Sequence, residues 1–373
     1  MKSPVKTLKE AGFATCFWSY SALDRYFRVS VSASVRTPHP EYLLTEGSLI
    51  DLAKTFEDLT YPGLLYTDAA LRREEGDYLF RCIEPRLRPP PACFTVQELR
   101  YDPERRVYLD PFGVYPSLRQ KKLVMAASEA DALFRLAEAA RLISRYHYEI
   151  RAEDLPLRGV LPEPSPEFQR ELLVSLLSSG DPAKGLTLLF ASGFVEAFWP
   201  ELFELARVPH VKDYHPEGNA WEHTLETFSH RKNSDLTLSL ALLFHDIGKP
   251  ASHGTQERPF DGHADLGARI CAHILRRLGF PPSLVEDVTF LIRFHMMPAA
   301  LKTLPLYRTR KLMSSPLFPL LLELFRADMS ASYSSPQSYY DACRVYRSFH
   351  RNEGNPYRRS DGSKQSRPAR FAH

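Results

Sequence analysis

The chain has 373 residues and a formal net charge of +3 at neutral pH. Hydrophobic residues make up 44% of it and charged residues 25%, which are ordinary values for globular domains and exclude a mainly disordered or fibrous chain. The small positive charge permits an anionic partner but does not by itself indicate nucleic-acid binding. The length predicts two or three domains, each with its own core.

Cysteines and apolar runs indicate the compartment. The five cysteines are odd in number and never form a CxxC pair, so neither a disulfide framework nor a zinc–thiolate site is predicted. No segment reaches the roughly 18 consecutive apolar residues of a membrane span, and the N-terminus lacks the apolar core of a secretory signal. We therefore expect a cytoplasmic protein without a membrane partner. Its oligomeric state stays open.

In chain order, four regions differ in pattern. Residues 1–123 combine short β-rich runs, Arg28 to Val35 and Val107 to Leu109, with Pro-rich breaks, which is typical of an α+β domain. Residues 124–207 alternate Leu-, Ala- and Phe-rich helical segments with Gly or Pro breaks and predict an all-α neck. Residues 208–352 predict an all-α domain, and residues 353–373 lose all periodicity and predict a disordered tail.

The strongest chemical signal is an apolar run, Leu236 to Phe244, that stops at the adjacent pair His245 and Asp246. Leucine and alanine dominate over β-branched residues, and Gly248 followed by Pro250 is a helix-stop signal. The run therefore predicts a buried helix rather than a strand. The leucine spacing places the imidazole on the face that points into the core.

Other segments repeat this placement of a polar side chain on an apolar helix. His295 and Asp328 each continue the apolar stripe of a predicted helix, His223 lies beside another stripe, and His263 opens a fourth helix. Burying an unpaired carboxylate costs several kcal/mol, so such groups require a compensating cation. Their number predicts a shared metal.

Imidazole and carboxylate ligands suit Mn, Ni, Co, Fe, Mg or Zn, and the absence of nearby thiolates argues against a structural zinc cage. The predicted metal ligands are His223, His245, Asp246 and Asp328. Asp246 is also predicted to orient or deprotonate a water molecule. His263 and His295 are catalytic candidates, as ligands of a second metal or as phosphate contacts. Lys249 is either an ordinary exposed cation at a helix end or a phosphate contact.

The order His, His-Asp, His, His, Asp is similar to that of the HD superfamily of metal phosphohydrolases. The stretches PEGNAWEHTLETF, LLFHDIGKP and RFHMMP resemble the HD region of bacterial tRNA nucleotidyltransferases and poly(A) polymerases. Upstream, SSGDPAKGLTLLFASGFVEAFWPELFEL resembles the neck helices of that family. The resemblance implies a nucleotidyltransferase fold, a helical neck and an HD domain.

The N-terminal region departs from that family. The family's glycine pair, which holds the triphosphate, falls on Ser19 and Tyr20, and the arginine before Asp24 is replaced. The two magnesium-binding aspartates fall on Ser30 and Ser32. Neutral hydroxyls cannot hold the metal pair that phosphoryl transfer requires.

Further substitutions follow along the same region. The family's Arg-Arg-Asp reads Pro-Ala-Cys at residues 91–93, and its Asn-Ala reads Gln97 and Glu98. Glu138 stands between Arg135 and Arg141, where the family has a third base-reading arginine. The Asp-Pro-Phe-Gly turn at residues 110–113 is kept. The resemblance therefore implies a retained fold with degenerate transferase motifs.

These patterns predict a metal-dependent HD phosphohydrolase acting on a phosphomonoester or cyclic phosphodiester of a nucleotide or an RNA end, possible substrates including tRNA. One alternative is an enzyme that still adds CCA or adenylate to tRNA. The other is a non-enzymatic RNA-binding protein.

Overall fold

The computed structural model describes residues 3–29, 40–63, 66–74, 76–83, 92–128, 130–154, 161–209, 218–252, 260–332 and 335–353. It divides into two compact units. The first comprises Met1–Glu163 and Ser179–Gly193, and the second comprises Pro164–Ser178 and Phe194–His373. Both units thus draw residues from the region predicted as a neck. The domain limits at residues 123, 207 and 352 stay predictions.

The first unit is built on one mixed sheet with the strand order β3-β4-β5-β2-β1-β6-β7. β2 and β5 pair in parallel and the other neighbours are antiparallel. The strands are β1 (Thr15–Trp18), β2 (Glu41–Thr45), β3 (Leu59–Thr60), β4 (Ala69–Arg73), β5 (Gly76–Cys82), β6 (Arg100–Asp102) and β7 (Val107–Leu109).

Helices occur in both units. The first seven are α1 (Pro4–Glu10), α2 (Tyr20–Phe27), α3 (Leu49–Thr55), α4 (Tyr115–Gln120), α5 (Ala132–Tyr146), α6 (Pro166–Leu177) and α7 (Pro182–Ala191). The others are α8 (Phe194–Phe198), α9 (Pro200–Phe203), α10 (Ala220–Thr227), α11 (Leu236–Phe244), α12 (His263–Arg277), α13 (Pro282–Phe294), α14 (Met297–Ala300), α15 (Leu306–Met313), α16 (Phe318–Ala331) and α17 (Gln337–Glu353). Short 3-10 turns lie at Thr95–Glu98, Ala152–Asp154, Glu204–Arg207 and Phe228–His230.

The core of the first unit forms where apolar strand residues meet two helices. Leu43 of β2 lies opposite Phe80 of β5, and both are fully buried with Leu8 of α1 and Leu52 of α3. Ser48 fixes the start of α3 through a reciprocal capping box with its first turn. The α+β class predicted for this region is confirmed.

One predicted strand is wrong at its beginning. Arg28 does not start a strand: it ends α2 in the left-handed conformation, with φ of 52°, and its main-chain N–H donates to Asp24 O. A left-handed cap of this kind satisfies a main-chain carbonyl at the end of the helix. The β-rich composition of the segment does not indicate that such a cap is present. Residues 30–35 lie outside the described residues. The second predicted strand, Val107–Leu109, is present as β7.

The second unit is helical, as predicted, and α11 lies at its centre. Seven of the nine α11 residues are buried, and the helix packs against α10, α13 and α16. Asp235 caps its N-terminus by accepting a hydrogen bond from Leu238 N. Of the helices that the structure describes, none is long and apolar enough to cross a bilayer. The predicted tail after Glu353 lies outside the described residues.

Candidate metal centre

The centre begins where α11 ends. His245 and Asp246 follow Phe244 directly, and they are 1% and 2% exposed. The next turn contains Gly248, which lies directly beneath the start of α12. A Cβ atom at Gly248 would lie 2.1 Å from His263 O and 2.6 Å from Gly267 N, so only glycine admits this approach. This contact brings the first residue of α12 to the His-Asp pair.

A first group of ligand atoms comes from three helices. His223 of α10 lies with its Nε2 3.0 Å from Asp328 Oδ1 of α16, and His245 Nε2 is 3.8 Å from the same oxygen. The three ligand atoms lie within 4.8 Å of one another, close enough to bind one ion.

A second group lies beside the first. Asp246 Oδ1 is 3.7 Å from His263 Nε2, which is 3.2 Å from His295 Nε2. These ligand atoms also lie within 4.8 Å of one another. The two groups are joined at the His-Asp pair, where His245 Nε2 is 3.3 Å from Asp246 Oδ2. All six residues predicted as metal ligands or catalytic histidines are therefore brought together.

Main-chain carbonyls orient three of the imidazoles. Nδ1 of His245, His263 and His295 each lies 2.7 to 2.8 Å from the carbonyl oxygen three residues earlier. Because a carbonyl only accepts, each ring donates its Nδ1–H there and directs Nε2 into the cluster. In the neutral rings of His263 and His295, two bare Nε2 atoms then face each other at 3.2 Å, an arrangement that a cation between them stabilises.

The charges of the cluster also fit a cation. Burial lowers the pKa of His245, but Asp246 and Asp328 outweigh it and raise that pKa to about 9. Burial raises the pKa of Asp246, whereas His245 and Lys249 hold it well below its usual range. In the part of the chain that the structure describes, buried His245 Nε2 makes no hydrogen bond, and Asp246 Oδ2 lies between the charged groups of His245 and Lys249. The two carboxylates thus favour a positive charge on His245, and a divalent cation at the same place would supply that charge.

His295 differs from His245 in its protonation. Burial, together with the charge of His245, lowers the pKa of His295 to about 4. Its ring is therefore neutral near pH 7, and its Nε2 lone pair is available to a metal.

Lys249 lies inside the centre rather than on the surface. Its side chain is 13% exposed, and Nζ is 2.6 Å from Asp246 Oδ2. Lys249 is therefore not the ordinary exposed cation that one interpretation expected, because the buried carboxylate holds it inward. A phosphate contact by Lys249 stays a prediction.

Several positions at which the family resemblance implies substitutions lie in one buried network around Glu138, which is 4% exposed. Tyr20 OH donates to Glu138 Oε2 at 2.8 Å and Gln97 Nε2 donates to it at 2.6 Å, while Arg141 Nη1 donates to Oε1 at 2.6 Å. Burial and the Glu138 charge raise the pKa of Tyr20 well above its usual value, so its hydroxyl stays a donor. Three substituted side chains therefore satisfy one another.

The neighbouring positions are also engaged. Ser19, where the family resemblance implies a glycine, has φ of 52° and ψ of −126°, a conformation that glycine adopts with less strain. Asp24 accepts two hydrogen bonds from Arg145, at 2.8 and 2.6 Å, and one from Tyr146 OH at 2.7 Å. Its carboxylate is thus held by α5.

Other substituted positions divide between described and undescribed residues. Glu98 is buried and accepts hydrogen bonds from Ala92 N at 2.6 Å and Trp18 Nε1 at 3.4 Å. Ser30 and Ser32 lie outside the described residues. Sequence reasoning treated the substitutions one by one and missed that Tyr20, Gln97 and Glu138 compensate each other. The signal that could have indicated this network is that two of the substitutions, Tyr20 and Gln97, add hydrogen-bond donors and the third, Glu138, adds an acceptor.

Residues 220–329 match the HD domain family. The chain is 32% identical over 264 residues to the A-adding tRNA nucleotidyltransferase of Deinococcus radiodurans, covering 64% of this chain and 58% of that protein. It is 36% identical over 179 residues to the CC-adding tRNA nucleotidyltransferase of Thermus thermophilus, covering 45% and 40%. A multifunctional CCA protein of Neisseria gonorrhoeae is 28% identical over 215 residues, covering 54% and 52%. The matches thus span about half the length of these relatives.

Solved structures share the fold. The Bacillus stearothermophilus CCA-adding enzyme in complex with CTP superposes with a TM-score of 0.55 at 16% identity, covering 94% of this chain and 84% of that one. A CCA-adding enzyme with ATP gives a TM-score of 0.50 at 12% identity, covering 93% and 81%. The predicted resemblance to tRNA nucleotidyltransferases with a C-terminal HD domain is confirmed.

Proposed function

We propose that the second unit is a metal-dependent phosphohydrolase. The observation that carries the proposal is the buried cluster of four histidines and two aspartates, whose ligand atoms form two adjoining groups within 4.8 Å. Purely structural core histidines would not need two carboxylates on apolar helices beside them, because burying such charges is costly without a cation.

The residues would divide the work between metal binding and proton transfer. His223, His245, Asp246 and Asp328 would hold a divalent cation, for which Mn, Ni, Co, Fe, Mg and Zn are candidates. When bound, such a cation lowers the pKa of a coordinated water and offsets charge on phosphoryl oxygens. Asp246 would orient that water and accept its proton.

The remaining polar groups would bind phosphate or extend the metal site. His263 and His295 lie close enough to Asp246 to form a second ligand set with it. Lys249 is now paired with Asp246. When substrate binds, a phosphoryl oxygen would replace the Asp246 carboxylate as the partner of the lysine ammonium group.

The proposed substrate is a phosphomonoester or cyclic phosphodiester of a nucleotide or an RNA end. Support comes from the relatives, whose names describe nucleotide addition to tRNA. tRNA and nucleotides are therefore the partners to test first.

Nucleotide addition to tRNA is the second candidate, and the names of the relatives favour it more directly than hydrolysis. The local contacts argue against it. Tyr20, Gln97 and Arg141 are all hydrogen-bonded to buried Glu138, so the positions where the family resemblance locates nucleotide contacts are already satisfied internally.

A phosphatase and phosphodiesterase panel, run metal by metal on the full chain, tests the proposal. The substrates are p-nitrophenyl phosphate, its bis ester and nucleoside 2′,3′-cyclic phosphates. Asp246→Ala is expected to abolish hydrolysis, whereas Asp265→Ala, a change of the same charge at an exposed position of α12, is expected to leave it intact. Full activity of Asp246→Ala with unchanged metal content would remove the centre from the mechanism.

Parallel incubation with labelled ATP and CTP and a tRNA lacking its 3′ end separates the candidates. Incorporation without hydrolysis would favour the second candidate. RNA binding with neither activity under any metal would favour a non-enzymatic role.

A further inference from the structure

A basic groove lies on the second unit, outside the centre. It encloses about 580 Å³ and is bounded by α16, α17 and the segment that follows the turn Phe228–His230. Cations and aromatic rings dominate its wall: Lys232, Arg326, Arg344, Arg347, Tyr339 and Tyr340. This combination differs from the histidines and carboxylates of the metal centre.

Positive charge is in excess around the groove. Glu323 is shared by Arg326, which donates to both of its carboxylate oxygens, and by Lys232, whose Nζ is 3.8 Å away. Asp341 is likewise shared by Arg344 and by Lys302 at 2.9 Å.

Arg347 adds a further charge to this set. Within the described ranges, it has no carboxylate at ion-pair distance. Among the described groove residues and their ion-pair partners, five cations therefore stand against two carboxylates, an excess that attracts a polyanion.

Arg326 is held in place at the base of the groove. Besides Glu323, its guanidinium donates to the main-chain oxygen of His230, so its orientation is set before any ligand arrives. A guanidinium that is already ordered loses less freedom when it binds phosphate.

The tyrosines add an aromatic platform. Tyr340 is 56% exposed, which is high for an aromatic side chain, and its ring centroid is 5.6 Å from that of Tyr339. Burial raises the pKa of Tyr339 to about 12, so its phenol adds no negative charge to the groove. Exposed rings beside cations form the kind of surface on which bases stack while the backbone follows the positive charge.

From these observations we propose that the basic groove binds single-stranded RNA, with the sugar–phosphate backbone along Arg344 and Arg347 and a base stacked on Tyr340. An acidic peptide would use the charges but would not require the exposed ring. The proposal does not depend on hydrolysis at the metal centre.

The groove and the centre use different sides of one helix. Arg326 and Asp328 are two residues apart on α16, which places their side chains about 200° apart around the axis. An RNA strand in the groove therefore leaves the centre accessible.

The test measures fluorescence anisotropy of a labelled oligoadenylate of about 12 nucleotides, a length typical of such sites, titrated with the full chain at several salt concentrations. The double variant Arg344→Gln/Arg347→Gln should weaken binding at least tenfold and make the slope of log K against log salt shallower by about 1.4, because each charge contributes about 0.7 on a single strand. Tyr340→Ala should weaken binding severalfold with an unchanged slope, because it removes stacking and not charge.

The matched control is Arg269→Gln/Arg276→Gln, which removes the same charge from exposed positions of α12. It should bind RNA as the wild type does. Equal weakening by both double variants would overturn the proposal, because binding would then follow overall charge. Unchanged affinity of Tyr340→Ala, together with equally tight binding of a polyglutamate peptide, would also overturn it in favour of a peptide partner. Melting curves verify that every variant is folded.

Discussion

Gly248 offers the sharpest test of how the candidate metal centre is built. In Gly248→Ala, the added Cβ would lie 2.1 Å from His263 O, whereas Cβ contacts essentially never fall below 3.0 Å, so the backbones must separate by at least 0.9 Å. The atoms it meets belong to the main chain of α12 and not to a flexible side chain. Overpacking of this kind costs about 1–3 kcal/mol, and we expect a value near the upper end.

The same displacement should weaken the centre. His263 is the first residue of α12, so a shift of this helix moves Nε2 away from Asp246 and His295, which now lie 3.7 and 3.2 Å from it. Disturbing the support of a metal ligand typically lowers metal affinity about 10- to 100-fold. We expect a loss in this range for Gly248→Ala.

Two measurements check this prediction: urea denaturation of the full chain, and titration calorimetry with Mn²⁺. The control is Gly180→Ala, because a Cβ at Gly180 meets no atom within 4 Å, and its stability should stay within about 0.5 kcal/mol of wild type. If Gly248→Ala matched this control in stability and metal affinity, the close packing of α12 on the His-Asp turn would be refuted.

Three further predictions concern metal, the buried network and transfer. A divalent metal at about 100 times its dissociation constant should stabilise the chain by about 2.7 kcal/mol, and thermal melts should show this gain lost in Asp328→Ala but kept in Asp265→Ala. Glu138→Ala leaves the partly buried Arg141 guanidinium without its carboxylate and should cost about 3 kcal/mol in urea denaturation, the lower end of the range for a broken buried pair. Tyr20→Phe removes one hydrogen bond to that carboxylate and should cost only about 1.5 kcal/mol, so equal losses would contradict the network. The wild type should incorporate neither labelled ATP nor labelled CTP into tRNA. Template-free incorporation would show that the hydrogen bonds to Glu138 do not prevent nucleotide transfer.

The helices of the second unit could be predicted well because their apolar periodicity is strong. The run Leu236 to Phe244 forms α11 with the predicted bounds, and His263 opens α12 as predicted. The strand predicted to start at Arg28 was wrong at that residue, which ends α2. Cap geometry depends on a single left-handed residue, and composition averaged over a segment does not detect it.

The buried network of the first unit could not be predicted as a unit. Gln97 and Glu138 are 41 residues apart, and each substitution by itself indicates only a lost contact with nucleotide. Their hydrogen bond exists because the 3-10 turn Thr95–Glu98 and α5 are brought together by the fold. Only the distances from Tyr20 and Gln97 to Glu138 show that the substituted side chains bind one another.

Residue types and periodicity by themselves determined which side chains of the second unit face its core, and they predict a metal site there. Tertiary structure decided how those side chains are grouped. His223 and Asp328 are 105 residues apart and meet at 3.0 Å because α10 packs on α16, while the glycine contact of α12 places His263 with Asp246. A helical period specifies direction around one axis, but distances between helices depend on how closely their backbones approach, and that follows from packing of the whole unit.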